Sequence, residues 1–356
     1  MINMARLHPA RVMRSARRRL LALADRHRRA APEDPADIVR NTVERLKGRV
    51  ELPRFSVTFS DRQIYRRDAT YHRDGKGFVL ELPTAERRQS TINKAWELGP
   101  AYLYWLTLCP PEVEALSVTL SDGDSPSAAR FSPSTNQSHI VPIPDPYFFI
   151  HSGFEYFRRL TKANPVAWGE RSGEVVWRGA SSGLGTFDPV LGAERPALAA
   201  QRLELILAAR RLPGVDVALA NYRRDEFRGQ MLVEAGIVKP EIDESSWALR
   251  KYAIDVDGQT NTWSNLFVRL LLGCCVLKLD SKFGFRQWYY DRLKPWEHYV
   301  PVKADASDLG EKIEWVRAND ARAADIAANG QRFATAMTYA AGRREAVALI
   351  ERHWRG

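Results

Sequence analysis

The chain of 356 residues has only three cysteines, Cys109, Cys274 and Cys275. Their spacing fits no metal-ligand pattern, and an odd number leaves no complete disulfide framework. Cys274 and Cys275 lie in an apolar run, where free thiols are buried and inert, so the composition points to a reducing compartment. Long hydrophobic runs are missing too: none reaches the roughly 20 residues that span a bilayer. The short run from Leu20 to Ala24 is followed by Asp-Arg-His-Arg-Arg, which reads against a cleaved secretory signal.

Acidic residues are nearly absent from residues 1–31. Nine arginines stand there against the single acid Asp25, so most of the formal charge of +10 sits in this leader. The remaining body is close to neutral, unlike a nucleic-acid enzyme, which spreads its basic residues along the groove that tracks the phosphates. Val12, Ala16, Leu20, Leu21, Leu23 and Ala24 interleave with the arginines at near-helical spacing. The leader is therefore either a disordered basic tail or an interfacial amphipathic helix on an anionic membrane. An Arg-rich transit peptide fits less well, because Ser15 is its sole serine.

What is present describes an enzyme-sized globular chain, 45% apolar with ten tryptophans. Helical patterns are expected over 36–47, ended by Gly48, and over 90–108, stopped by Pro110-Pro111. Alternation predicts strands over 55–59 and 116–120, and the prolines in Ile140-Val141-Pro142-Ile143-Pro144 keep that segment extended. Further on, strands are expected over 174–177, 215–219, 275–279 and 299–303. They alternate with helices from near Pro196 to Arg211, over 262–273, and over 308–317 and 320–333. Strands alternating with helices imply right-handed crossovers and a parallel sheet.

Three segments carry candidate chemistry. In Trp177-Arg178-Gly179-Ala180-Ser181-Ser182-Gly183 a strand ends in small residues, where backbone amides can approach a pyrophosphate and an arginine can fork onto its oxygens. The equally simple reading is a small-residue turn with a surface arginine; the turn is neither a Walker A loop nor a dinucleotide fingerprint. In the segment from Leu249 to Thr260 the Asp257-Gly258 turn closes a strand, so Thr260, Thr262 and Ser264 face the carboxyl edge of a sheet, where open α/β sheets bind ligands. The third, Trp288-Tyr289-Tyr290-Asp291-Arg292-Leu293-Lys294-Pro295-Trp296-Glu297-His298-Tyr299-Val300-Pro301-Val302, concentrates aromatics beyond what a core alone usually requires, although Trp288 and Trp296 taken singly read as core. His298 is either packed or a substrate contact. Asp122-Gly123-Asp124, at a strand end, resembles a metal-binding Asp-x-Asp, but this spacing is commonplace in turns and no metal is assigned to it.

Together, from Trp177 to Phe333, these segments resemble glycosyltransferase family 90, which includes protein O-glucosyltransferases, capsule xylosyltransferases and bacterial relatives that decorate lipopolysaccharide or capsule. The resemblance implies a GT-B fold, two Rossmann-like α/β domains facing across a cleft, here preceded by the basic helical leader. The domains would be residues 1–31 (leader), 36–168 (acceptor side), 169–318 (nucleotide-sugar side) and 319–356 (helices packing back across both). It implies a donor site of Arg178, Gly179, Ala180, Ser181, Lys251, Tyr252, Asp257, Gly258, Thr262 and Ser264. The family's Lys-Tyr and Gly are matched by Lys251, Tyr252 and Gly258, but Thr262 and Ser264 stand where its Ser and Arg would. Either Arg250 or Arg269 substitutes for that arginine, or the donor is held differently here. The resemblance places the general base in a segment after a tyrosine, upstream of the Val-Thr-Leu-Ser-Asp strand; Asp74 fits, with Asp68 the alternative, and an ordinary Asp-Gly turn is the competing reading.

The expected activity is metal-independent, inverting transfer of glucose or xylose from a UDP-sugar to a hydroxyl of a cell-surface glycan, with no cofactor. The expected location is cytoplasmic, peripheral at the inner face of the plasma membrane. A non-catalytic, membrane-recruited binding protein on the same fold is the alternative.

Overall fold

The computed structural model describes residues 34–355 apart from 53, 63–64, 76, 85–88, 188–198 and 222–226. The basic leader lies outside the described residues.

Helix α1 (Pro35–Leu46) opens with a capping box, in which Asp34 accepts from the Asp37 amide and the Asp37 carboxylate accepts from the Asp34 amide. Strands β1 (Phe55–Ser60), β2 (Asp68–Asp74) and β3 (Gly77–Pro83) follow, then α2 (Gln89–Leu108), β4 (Ala115–Thr119), β5 (Phe131–Ser132) and β6 (Val141–Pro142). The long α2 tolerates an internal proline because α1 compensates for it. Pro100 has no N–H for the Trp96 carbonyl, and the buried Asn41 Nδ2 donates to that carbonyl at 2.6 Å. The sheet order is β1-β3-β2-β4-β5-β6, and only β2 runs antiparallel to its neighbours.

The segment around Asp74 is thus a β-hairpin that turns at Asp74-Gly75. Its strands are β2 and β3, whose alternation is hidden by the charged residues near the turn. Because β2 is reversed, its first residue sits at the carboxyl edge of the other strands and its last at the amino edge.

After α3 (Pro146–Ile150) and α4 (Glu155–Ala163), the second lobe comprises β7 (Ser172–Ala180), α5 (Gln201–Ala209), β8 (Val215–Asn221), α6 (Phe227–Glu234), β9 (Arg250–Asp255), α7 (Asn265–Leu271), β10 (Cys275–Leu279), β11 (Val300–Val302) and α8 (Leu309–Ala318). Its sheet is wholly parallel, in the order β11-β10-β9-β7-β8. Every residue of β10 is buried, Lys278 included, as expected of a central parallel strand covered on both faces. Helix α9 (Asp320–Ala336) packs on α7 and β10, whereas α10 (Tyr339–His353), within the segment expected to form C-terminal helices, packs on α2 of the first lobe.

Each lobe has its own apolar core, and a third cluster fills the seam between them. The aromatic segment belongs to this seam. Trp288 meets Phe148 edge-on at 5.3 Å, and Tyr289 meets Phe267 at 5.6 Å. What looked like surplus aromaticity is packing: rigid rings join two lobes whose helices approach from different directions. Among the Trp residues of that segment, Trp296 is the exposed one.

Candidate functional site

The carboxyl edges of the two sheets face a cleft of about 420 Å³. On the first-lobe wall, Lys94 and Glu97 project from one face of α2 at i, i+3, Asp122 follows the end of β4, and Tyr147 opens α3. Lys94 Nζ lies 3.3 Å from Asp122 Oδ1 and 3.7 Å from Glu97 Oε2, and the Tyr147 hydroxyl donates to Glu97 Oε1 at 3.2 Å. The Asp122 side chain is about one-third exposed, and the carboxylate lines the cleft.

The opposite wall is built from Gly179, Ala180 and Ser182 after β7, Arg202 in the first turn of α5, and residues 258–265 after β9. Arg202 is almost wholly buried. Its Nε donates to the Asp257 carbonyl (3.2 Å), and Nη1 donates to the Ala180 carbonyl (3.0 Å) and to Ser182 Oγ (2.7 Å). Burial lowers the guanidinium pKa to about 10 while the Asp255 and Asp257 carboxylates oppose it, so Arg202 stays cationic at neutral pH. A Cβ on Gly258 would stand 2.5 Å from Arg202 Nη2, so only glycine lets this loop close over the fixed guanidinium.

Beneath the loop lie two buried carboxylates. Thr262 Oγ1 donates to Asp255, and Asn261 Nδ2 donates to Asp257 Oδ1 at 3.1 Å. Burial raises both carboxyl pKa values, against the attraction of Lys278. The loop also ties the lobes together: Gln259 Nε2 donates to Asp124 Oδ2 at 2.8 Å, and Ser134 Oγ donates to Asn261 Oδ1 at 2.9 Å.

Of the residues expected at the donor site, Gly179, Ala180, Gly258, Thr262 and Ser264 line the cleft, and Asp257 supports it from below. Ser181 follows β7 beside them, outside the lining. Three expectations are corrected. The Arg178 guanidinium is filled from within the lobe, with Nη2 2.6 Å from Asp216 Oδ2 and further bonds to the Trp177, Asp216 and Pro240 carbonyls. Lys251 and Tyr252 sit at the amino end of β9, about 10–13 Å along the strand from its carboxyl edge. There they bind Asp320: Lys251 Nζ lies 2.8 Å from its Oδ1, and the Tyr252 hydroxyl donates to the same oxygen at 3.1 Å. His298 is structural, its Nδ1 accepting from the Lys294 amide at 3.0 Å and its ring lying 5.0 Å from Phe333. Burial holds its pKa below the usual value.

Neither expected base lines the cleft. Asp74 is exposed at the hairpin tip, on the amino edge of the sheet and away from the cleft. Asp68 reaches the correct edge but is 2% exposed, with its oxygens taken by Ser127 Oγ at 2.6 Å and the Ala128 amide at 2.8 Å. Burial lifts its pKa despite these bonds. The arginine missing at Ser264 is not replaced by Arg250 or Arg269. Arg250 Nη1 lies 3.4 Å from Glu174 Oε2, and Arg269 is buried over the Trp247 ring at 3.8 Å.

The cleft thus introduces residues that the sequence did not single out. Arg202 had one signal, a charge inside the apolar pattern Ala200-Gln201-Arg202-Leu203-Glu204-Leu205. Asp122 was weighed only as part of an Asp-x-Asp turn. Lys94 and Glu97, inside α2, and Tyr147 and Trp263, near helix starts, had no signal of their own.

Two α/β lobes facing across a cleft at their carboxyl edges form the GT-B arrangement. Residues 159–340 match the family model Glycosyl transferase family 90, half of the chain, and the chain belongs to that family. It is similar to rat Protein O-glucosyltransferase 3, with 26% identity over 77% of this chain and 49% of that protein. An uncharacterized protein of Frog virus 3 is 31% identical over 82% of this chain and 29% of its own length. A shorter match to one of Invertebrate iridescent virus 3 is 43% identical over 23% of this chain and 8% of that one. The chain therefore spans half or less of the length of these relatives. Among solved structures, Anabaena HepE in complex with UDP-glucose superposes with a TM-score of 0.35 at 14% identity, covering 56% of this chain and 53% of the other. For WaaG, a glycosyltransferase involved in lipopolysaccharide biosynthesis, the TM-score is 0.31 at 13% identity, covering 55% and 50%. Overlaps of this extent add nothing to the architecture already described.

Proposed function

We propose that this chain is a metal-independent, inverting glycosyltransferase that moves glucose or xylose from a UDP-sugar to a hydroxyl of a cell-surface glycan such as lipopolysaccharide core or capsule. The observation that carries this reading is the opposition across one cleft of a carboxylate, Asp122, and a buried cation with small-residue loops, Arg202 with Gly258 and Ala180. Family membership and the printed name of the rat relative support sugar transfer.

In this reading the diphosphate sits against Arg202 and the 258–264 loop. Asp122 takes the proton from the acceptor hydroxyl as its oxygen bonds to the sugar's anomeric carbon. The bond from that carbon to the diphosphate breaks, and its electron pair leaves with UDP. Arg202 and nearby backbone amides stabilise the charge that develops. Base and leaving group on opposite walls are what inversion requires. Arg202 supplies the positive charge that a divalent ion would otherwise provide, while Asp122 and Asp124 are turned to different partners, Lys94 and Gln259.

Residues 1–31 would hold the protein at the anionic cytoplasmic face of the plasma membrane through their nine arginines. No helix among the described residues is long and apolar enough to cross a membrane. The test is incubation with a panel of UDP-sugars and glycan acceptors in excess chelator. Transfer of one sugar with inverted anomeric configuration is expected. UDP binding without turnover of any donor would favour the non-catalytic alternative.

A further inference from the structure

We propose that the first-lobe side of the cleft is a subsite for a neutral pyranose, in which Trp263 and Tyr147 receive the C–H face of the acceptor sugar and Glu97 accepts its hydroxyls. This rests on the transferase reading and names the chemical class of its acceptor.

Trp263 lies on the loop between β9 and α7 of the second lobe, yet it packs against the apolar core of the first. It remains partly exposed and lines the cleft. Its ring meets Tyr147 at 5.5 Å and 76°, so the two form a corner, one ring presenting a face beside the edge of the other. A pyranose carries axial C–H bonds on one face and hydroxyls around its rim. An aromatic face flanked by hydrogen-bonding groups is the complementary surface. The flanking group is Glu97, about 40% exposed, with one oxygen accepting from the Tyr147 hydroxyl and open lone pairs on the cleft side.

Charge narrows the class further. Among the described residues, Lys94 is the cation of this wall, and it stands between two carboxylates, Asp122 at 3.3 Å and Glu97 at 3.7 Å. The wall is therefore net negative, and a uronate or phosphorylated sugar would meet uncompensated carboxylates. Arg202 faces the cleft from the other wall and is committed to the donor loops. A neutral sugar satisfies both the aromatic corner and the charge.

The experiment uses the full-length protein with UDP-glucose and UDP-xylose as donors. The acceptors are the methyl glycosides of β-glucose, β-galactose and α-mannose, compared with methyl β-glucuronoside and a serine-containing peptide, with UDP release as the readout. At least one neutral glycoside should accelerate UDP release, and the glucuronoside and the peptide should not. Trp263→Ala should raise the half-saturating glycoside concentration about tenfold, a larger effect than on UDP affinity by calorimetry, with Trp263→Phe recovering most of it. Glu97→Gln, which leaves the interlobe packing intact, should raise the same concentration by about tenfold through weaker hydroxyl bonds. Preference for the peptide or the glucuronoside, or a Trp263→Ala effect as large on UDP as on the glycoside, overturns the subsite. So does UDP binding with no response to any neutral glycoside. Failure of the wild-type protein to bind UDP overturns instead the transferase reading beneath it.

Discussion

Replacing Asp122 by Asn separates the chemistry of the cleft from its architecture. The amide keeps the shape of the side chain and an oxygen for Lys94 but cannot take a proton. Loss of a general base costs about a hundred- to ten-thousandfold in turnover, or roughly 3–5 kcal/mol in activation free energy. The cost to folding should be far smaller. The Lys94–Asp122 pair is 3.3 Å long with both side chains about one-third exposed, and such partly solvated pairs contribute at most about 1 kcal/mol. UDP affinity should be unaffected, because the diphosphate is held from the opposite wall. The assay is UDP release with a saturating donor and acceptor, alongside thermal unfolding and UDP calorimetry on the same preparations. Asp74→Asn serves as the control and should match the wild type, since Asp74 sits at the hairpin tip on the far edge of the sheet. Near-wild-type turnover by Asp122→Asn would refute the assignment. Loss of activity in Asp74→Asn would refute the placement of the acceptor at the carboxyl edge.

Gly258→Ala should weaken UDP binding at least tenfold and also lower the melting temperature, because its Cβ would displace the buried Arg202 from the loop carbonyls; calorimetry and thermal unfolding check both halves. Arg178→Ala should separate the two effects, lowering stability through the lost Asp216 pair and carbonyl bonds while UDP affinity persists. Asp145 caps α3 from a fully buried position, and burial pushes its carboxyl pKa up to about 7. The folded state thus binds the proton more tightly than the unfolded chain, and this group's stabilisation is complete below about pH 4 and lost as pH rises towards 7, by at most about 4 kcal/mol. Asp145→Asn keeps the capping oxygen and should gain stability relative to wild type across that window in urea titrations; parallel pH profiles would rule out the raised pKa. Deleting residues 1–31 should release the protein from anionic vesicles, each basic residue contributing about 1 kcal/mol at low salt, and vesicle binding that survives the deletion would place the contact on the folded body.

The sequence by itself determined the second lobe and the family. Strands that are apolar but for one residue, such as Cys275-Val276-Leu277-Lys278-Leu279, alternating with helices, leave few arrangements other than a parallel sheet, and local pattern is enough to specify each element. It also identified the two loops, after Ala180 and around Gly258, that line one wall of the cleft. Pattern was less informative in the first lobe, where charged residues around the Asp74-Gly75 turn masked the β2–β3 hairpin. What only the tertiary structure decided is which charged side chains face the cleft. Arg178 and Arg202 are both arginines near a strand end or helix start, yet Asp216 occupies the first, while the second binds the Ala180 and Asp257 carbonyls of the two cleft loops. Asp68, Asp74 and Asp122 are aspartates at the ends of neighbouring strands, and the reversed direction of β2 alone sends Asp74 to the wrong edge. Strand direction and the partners of a long side chain are non-local properties, set by chain segments tens to hundreds of residues away. For that reason the residues that bind and react were the part of this protein that sequence pattern resolved least.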